Sequence, residues 1–312
     1  MEIQFWGVRG SIPSPLSAGQ IKEKIDEVVS LASPKDFTSQ ESKRKFIESL
    51  PERLYGTVGG NTPCVEFTSD SNRKIIFDAG TGIRLLGKSE SLPENLHYNL
   101  CFSHFHWDHI QGLPFFDAIY NPGVSFDVYS PFENMEKLLS EQMKKPYYPV
   151  DFDSVAKRFS FHQIEEKCEF KIDDLVLSCI KMSHPGSSYS YSVCENGKKF
   201  VYATDVELKE GDFEKSPERS AVFKNADVLV FDSQYTVEEA VRKPNWGHSA
   251  FCGAIDFAAA WNVKKLFLFH HEPTYDDKKL YKILDSARWY AKYAADGNVE
   301  VNLAVEGQKI EI

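Results

Sequence analysis

The chain is predicted to fold as an α/β protein, because short apolar runs of strand length alternate with stretches of helical periodicity and one dipeptide marks an antiparallel hairpin. Strand-like runs occupy Val65 to Thr68, Ile75 to Phe77, Tyr98 to Phe102, Phe126 to Tyr129, Leu175 to Met182, Tyr189 to Val193, Phe200 to Ala203, Val228 to Phe231 and Leu266 to Phe269. Each closes on a segment containing Gly, Asp or His. Asn196-Gly197 supplies the two positive-φ positions of a tight turn, so the strands that flank it run antiparallel.

The helices interleave. Ile21, Ile25, Val28, Val29 and Ala32 share one helical face, and Thr38 with Glu41 has capping-box spacing ahead of Phe46, Ile47 and Leu50. Residues 16–54 therefore read as a helical insertion. Further helical patterns run over about Asn134 to Lys144, Ser249 to Trp261 and Lys278 to Ala295, with an irregular link from Lys144 to Asp153 around Pro146 and Pro149. A second insertion covers about 133–160. With no repeat and no flexible linker, residues 1–312 are expected to form one domain.

Composition narrows the function. At 42% hydrophobic and 26% charged, the 312 residues suit a globular chain that does not need a metal to stay folded, so any metal it binds is functional. Lys plus Arg number 36 against 46 Asp plus Glu, a formal charge of −10, which makes a nucleic-acid polyanion a poor first partner. The six cysteines form no C-x-x-C pair and read as reduced thiols. No apolar stretch is long enough for a membrane span, and no signal peptide is evident, so the cytoplasm is the expected location.

The chemistry concentrates in Ser103-His104-Phe105-His106-Trp107-Asp108-His109, which follows an apolar strand directly. A turn leaving a strand can aim alternate side chains at one point. His104 and His106 could then share one ion, while Asp108 and His109 reach a second. Imidazole with carboxylate suits Zn²⁺, Mn²⁺ or Fe. His184, Asp205 and His270 each close another apolar run and extend the same set.

The order of motifs resembles the metallo-β-lactamase fold hydrolases, and within them the branch of the tRNA 3′-processing ribonuclease (RNase Z) and the cyclic-phosphate phosphodiesterases of phosphonate breakdown. The resemblance rests on Gly7-Val8-Arg9-Gly10-Ser11, Gly59-Gly60-Asn61-Thr62, Phe77-Asp78-Ala79-Gly80, the His104 to His109 motif, His184-Pro185-Gly186, Ala203-Thr204-Asp205, Trp246-Gly247-His248-Ser249 and Phe269-His270-His271. It implies a four-layer αββα sandwich with helical insertions. It also implies two divalent metal ions, Zn or Mn with Fe as a further candidate. His104, His106 and His184 would hold one ion, Asp108, His109 and His270 the other, and Asp205 would bridge them. His271 is the neighbour that competes with His270 for this role. Asp78 is read as orienting a ligand imidazole, the alternative being a turn aspartate. His248 with Asp232 matches the pair that supports catalysis in RNase Z, which makes Asp108, His248 and Asp232 the catalytic set. Arg9-Gly10-Ser11 and Asn61-Thr62 either shape the site or only turn the chain, and His97 and His162 read as surface residues.

The function expected from this set is binuclear metal-dependent hydrolysis of a small or cyclic phosphodiester, a cyclic nucleotide being one candidate. His248, positioned by Asp232, would protonate the departing alkoxide. Oxygen-reducing diiron members carry glutamate at the position of His106, so redox chemistry is disfavoured. An RNase Z-like RNA endonuclease, a thioester or lactone hydrolase and a non-catalytic metal-binding sensor stay open as alternatives. No basic RNA-clamping arm is seen, and Lys43-Arg44-Lys45 and Lys144-Lys145 read as solvated helix faces. Nucleic acid is thus the less favoured partner, and a homodimer is open.

Overall fold

Ile75 and Phe77 leave their strand on one side and Ile76 on the other, yet all three are fully buried. A strand that is apolar on both faces needs a covering layer on each side, and this requirement shapes the molecule. The structure, a computed structural model, describes residues 1–89, 96–295 and 298–312.

In chain order the first strands are β1 (Glu2–Gly7), β2 (Cys64–Thr68), β3 (Lys74–Phe77), β4 (Leu96–Cys101), β5 (Val124–Ser130) and β6 (Phe159–Gln163). They are followed by β7 (Glu169–Ile172), β8 (Leu175–Met182), β9 (Ser188–Glu195), β10 (Lys198–Ala203), β11 (Val228–Asp232), β12 (Lys265–Phe269), β13 (Glu300–Leu303) and β14 (Lys309–Glu311). One seven-stranded sheet has the order β14-β1-β2-β3-β4-β5-β6 and the other β13-β12-β11-β10-β9-β8-β7. In each, one half is antiparallel and the other parallel: β3 to β6 in the first, β10 to β13 in the second. Open parallel sheets bind ligands beyond the C-terminal ends of their strands, and the site lies there.

The inner faces interlock through aromatic rings. Phe77 lies 5.8 Å from Tyr191 and 5.2 Å from Tyr202 (ring centroids), and Phe67 stacks on Phe200 at 5.8 Å. Outside the first sheet, Ile76, Leu100 and Phe126 pack with Ile83 and Leu86 of α4 (Ile83–Ser89), Ile110 of α5 (Trp107–Ile110) and Leu139 of α6 (Met135–Gln142). The second sheet is covered by α7 (Pro217–Phe223), α9 (Phe251–Ala260) and α10 (Asp277–Tyr293), while α8 (Val237–Arg242) has no buried residue. The four-layer αββα sandwich is the observed architecture. The Asn196-Gly197 hairpin forms as expected, joining β9 and β10.

The insertion consists of α1 (Ala18–Leu31), α2 (Gln40–Glu48) and α3 (Glu52–Tyr55) with a short 3₁₀ turn between the first two. One expectation needs correction. Ser39, not Thr38, caps α2, exchanging bonds with Ser42 rather than Glu41. The apolar face of α1 is not core: Ile21, Ile25 and Val29 stay exposed, and the helix is moored by Lys24, whose Nζ donates to Asp277 Oδ2 (2.5 Å) and the Gly56 carbonyl (2.7 Å). Strands β1, β6, β7, β13 and β14 were not legible from apolar runs. Among the described residues all six cysteines are free thiols, with Cys168 exposed, and no described helix is long and apolar enough to cross a membrane.

Phe77→Ala is expected to destabilise the fold by about 3–5 kcal/mol in urea unfolding, as buried Phe truncations do. Ile25→Ala, at a position 58% exposed, should change it by less than about 0.5 kcal/mol.

Candidate metal centre

Asp78 and His270 are each the first residue after a strand and Asp205 is the second, and all three adopt a left-handed backbone, with φ of 60°, 59° and 55° in that order. This turn swings the side chain out of the sheet and over its edge. Asp and His tolerate the conformation better than most residues but still pay about 1 kcal/mol or more apiece. His104, His106, Asp108 and His109 arrive from the loop after β4 and the short helix α5, and His184 from the turn after β8.

The donor atoms gather into two overlapping groups: His104, His106 and His184, and Asp108, His109, Asp205 and His270. Asp205 faces both. Its Oδ1 lies 3.7 Å from His104 Nε2 and 3.8 Å from His184 Nε2, while its Oδ2 lies 3.1 Å from His109 Nε2 and 3.3 Å from His270 Nε2. Asp108 Oδ2 is 3.2 Å from both His109 Nε2 and His270 Nε2 and accepts the Ser11 N–H at 2.8 Å. His106 turns its Nδ1 toward His184 Nε2, 3.2 Å away.

The imidazoles are oriented by the nitrogen they do not present. His109 Nδ1 donates to Asp78 Oδ2 (2.8 Å), His184 Nδ1 to the Gly247 carbonyl (2.9 Å), His270 Nδ1 to Gln234 Oε1 (3.0 Å) and His104 Nδ1 to Ser103 Oγ (3.1 Å). Each Nε2 is thereby left as a lone pair aimed at the cluster. His104 Nε2 and His109 Nε2 are buried without a hydrogen-bond partner among the described residues. A buried polar atom without a partner costs about 1–3 kcal/mol, and a divalent cation is a partner such atoms would take. The seven donors fit that group. Two glycines are required by the same geometry: a Cβ on Gly247 would stand 2.1 Å from His184 Nδ1, and one on Gly10 2.5 Å from His270 Nδ1.

The charge balance points the same way. Burial drives His104 and His184 toward the neutral, lone-pair form. Burial would also neutralise Asp205, but the imidazoles of His270 and His109 hold its carboxyl well below the usual range. Burial opposes a charge on His109, yet Asp108, Asp205 and Asp78 raise it well above its ordinary value. Three carboxylates crowd one imidazole, a field that favours cations.

At the edge of the cluster, His248 Nδ1 donates to Asp232 Oδ2 at 2.7 Å, and its ring stacks 4.9 Å from that of His270. Asp232 is fixed in turn by the backbone N–H groups of Ser249 (3.1 Å) and Val206 (3.2 Å). Burial works against a charged His248, but the Asp232 carboxylate overcomes it and raises the imidazole to about 9.

His271 turns away, its Nε2 donating to the Ala304 carbonyl at 2.9 Å, and burial pushes it down to about 3. Arg9 is buried and ties three loops, donating to the Gly59 carbonyl (2.8 Å) and the Tyr275 carbonyl (2.8 Å). Asn61 is held by Glu306 at 2.7 Å. These loops support the site rather than only turning the chain. His97 and His162 lie outside it, flanking Asp127 at 3.3 and 3.2 Å.

The sequence profile of the beta-lactamase superfamily domain matches residues 73–271, a span that holds all seven donors, Asp232 and His248. The chain belongs to this superfamily. A Ribonuclease Z of Prochlorococcus marinus (strain MIT 9515) is 27% identical over 259 residues, covering 66% of this chain and 81% of that protein. Human tRNase Z, short form, superposes with a TM-score of 0.62 at 17% identity over 100% of this chain and 99% of that one. A diphosphatase of the PhnP family also gives 0.62, at 16% identity over 100% and 96%. The superfamily chain is thus a metal-dependent hydrolase of the metallo-β-lactamase fold.

Four supporting groups escaped the sequence reading: Ser103, Tyr202, Gln234 and the Gly247 carbonyl. Gln234 lies two residues beyond the strand-end Asp232, a signal that could have found it. Tyr202 could not have been found, because it reaches Asp78 from the opposite sheet at 2.7 Å. Asp78→Ala is expected to weaken Zn²⁺ or Mn²⁺ binding about 10–100-fold in equilibrium dialysis, the usual loss for an outer-sphere partner. Unchanged affinity would reduce Asp78 to a turn residue.

Proposed function

We propose that the chain is a two-cation phosphodiesterase acting on a small or cyclic phosphodiester, a cyclic nucleotide among them. His104, His106, His184 and Asp205 Oδ1 would hold one cation; Asp108, His109, His270 and Asp205 Oδ2 would hold the other, with Zn²⁺ or Mn²⁺ the best match to the donors and Fe next. Such a pair supplies an activated water and charge stabilisation on the phosphoryl oxygens. The chain's own contribution is orientation and proton delivery. Buried carboxylates and paired imidazoles fix the donors, and His248 carries a proton on the nitrogen that Asp232 does not engage.

The observation that carries this reading is the His248–Asp232 pair, 2.7 Å apart and stacked against His270. A positioned imidazolium beside a two-cation site is what an alkoxide leaving group needs. The charge of −10 favours a small substrate over a long polyanion, and the diphosphatase of the PhnP family is consistent with one. A second reading, cleavage of RNA, has support in the relatives named Ribonuclease Z. The free thiols suit a reducing, cytoplasmic setting.

Hydrolysis of bis(p-nitrophenyl) phosphate is expected to cease on chelation, return with Mn²⁺ or Zn²⁺, and fall more than about 100-fold in Asp108→Ala. No turnover with two ions bound would move the reading to a thioester or lactone hydrolase, or to a sensor. Cleavage of short RNA at a higher kcat/KM than any small diester would favour the second reading. His248→Ala should slow alkyl esters about 10²–10⁴-fold and the nitrophenyl ester far less. Equal losses on both would remove His248 as the proton donor.

A further inference from the structure

Trp107 stands between two of the donors, His106 and Asp108, yet its indole is 81% exposed. It lines a cleft of about 580 Å³ together with Phe105, Ile110, Leu138 of α6 and Tyr147, the last 85% exposed. The size is that of a small-ligand pocket. The cleft joins the metal-site motif on one side to the second insertion on the other, so one molecule can touch both. Its lining contains one charged side chain, Glu141, and no lysine or arginine. A phosphate chain would be repelled there; an uncharged planar group would not. Two large aromatic faces left to solvent in a mostly apolar cleft offer the platform on which a nucleobase stacks. Gln111 and Gln142, which also line it, spend an amide donor on Thr62 Oγ1 (3.2 Å) and the Ile110 carbonyl (3.1 Å), so each amide plane is held in place.

We propose that this cleft is the base-binding subsite of the enzyme: the substrate is a phosphodiester of a nucleoside, its phosphate at the donor cluster and its single base stacked on Trp107 and Tyr147. This rests on the phosphodiesterase reading above and narrows its substrate class. A single cleft of this size takes one base, which separates the proposal from recognition of an RNA body.

The test compares two esters with the same leaving group, thymidine 5′-(p-nitrophenyl phosphate) and methyl p-nitrophenyl phosphate. The wild-type metal-loaded enzyme should prefer the thymidine ester. Trp107→Ala and Tyr147→Ala should each lower the ratio of the two kcat/KM values about 10-fold, through the KM of the thymidine ester, as loss of one stacking partner does. Trp107→Phe should restore most of the ratio, and Trp289→Ala, which removes an exposed tryptophan of α10 outside the cleft, should not move it. A ratio unchanged in both alanine variants would overturn the proposal. If wild type cleaves neither ester, the phosphodiesterase reading fails separately. Calorimetric binding of thymidine 5′-monophosphate then decides the cleft: a loss of about 10-fold in Trp107→Ala supports it, and equal affinity overturns it. A Trp107→Ala variant that sediments as a monomer while wild type is a dimer would assign the cleft to a second copy and also overturn it.

Discussion

The carboxylate of Asp78 is the joint on which the centre depends. It accepts the Ser103 N–H (2.8 Å), the Ser103 hydroxyl (2.7 Å), the Tyr202 hydroxyl (2.7 Å) and His109 Nδ1 (2.8 Å), all in buried surroundings. Through Ser103 it fixes the loop that begins the histidine motif, and through His109 a donor imidazole. Through Tyr202 it binds the first sheet to the second. A carboxylate this deep is tolerable only when it is hydrogen-bonded, and both oxygens of Asp78 accept. The left-handed turn at its own backbone places it there.

The same device recurs at Asp205 and His270, each turned outward at a strand end of the second sheet. The two sheets bring seven polar donors to one point, against the ordinary preference of interiors for apolar groups. What offsets that cost is division of labour within each side chain. One nitrogen of an imidazole is bonded to the protein, and the other is presented; one oxygen of Asp205 faces three histidines' group and the other faces the Asp108 group. His248 and Asp232 repeat this pairing at the rim, 2.7 Å apart.

Much of this was legible because donors that close apolar runs are rare and conspicuous. The nine apolar runs fell on strands, and His184, Asp205 and His270 were found where runs ended. The parts that were not legible have physical reasons. Strands β6 and β7 alternate polar and half-buried residues at sheet edges, and β13 and β14 are only four and three residues long, so apolar continuity could not mark them. The amphipathic pattern of α1 marks a helix without saying what its apolar face meets; Lys24 and its bond to Asp277, invisible to periodicity, moor the helix with that face outward. Supports such as Tyr202 and Gln234 are ordinary residues whose role arises from tertiary proximity. His271 competes with His270 in sequence, and the left-handed turn at His270 and the bond to the Ala304 carbonyl are what turn it away.

In the proposed centre Asp205 would join two cation sites through its separate oxygens. Electron paramagnetic resonance of the protein loaded with two equivalents of Mn²⁺ tests it most directly. The expected spectrum is that of an exchange-coupled pair, which Asp205→Ala abolishes. A spectrum of isolated ions in the wild-type protein at that loading would contradict it.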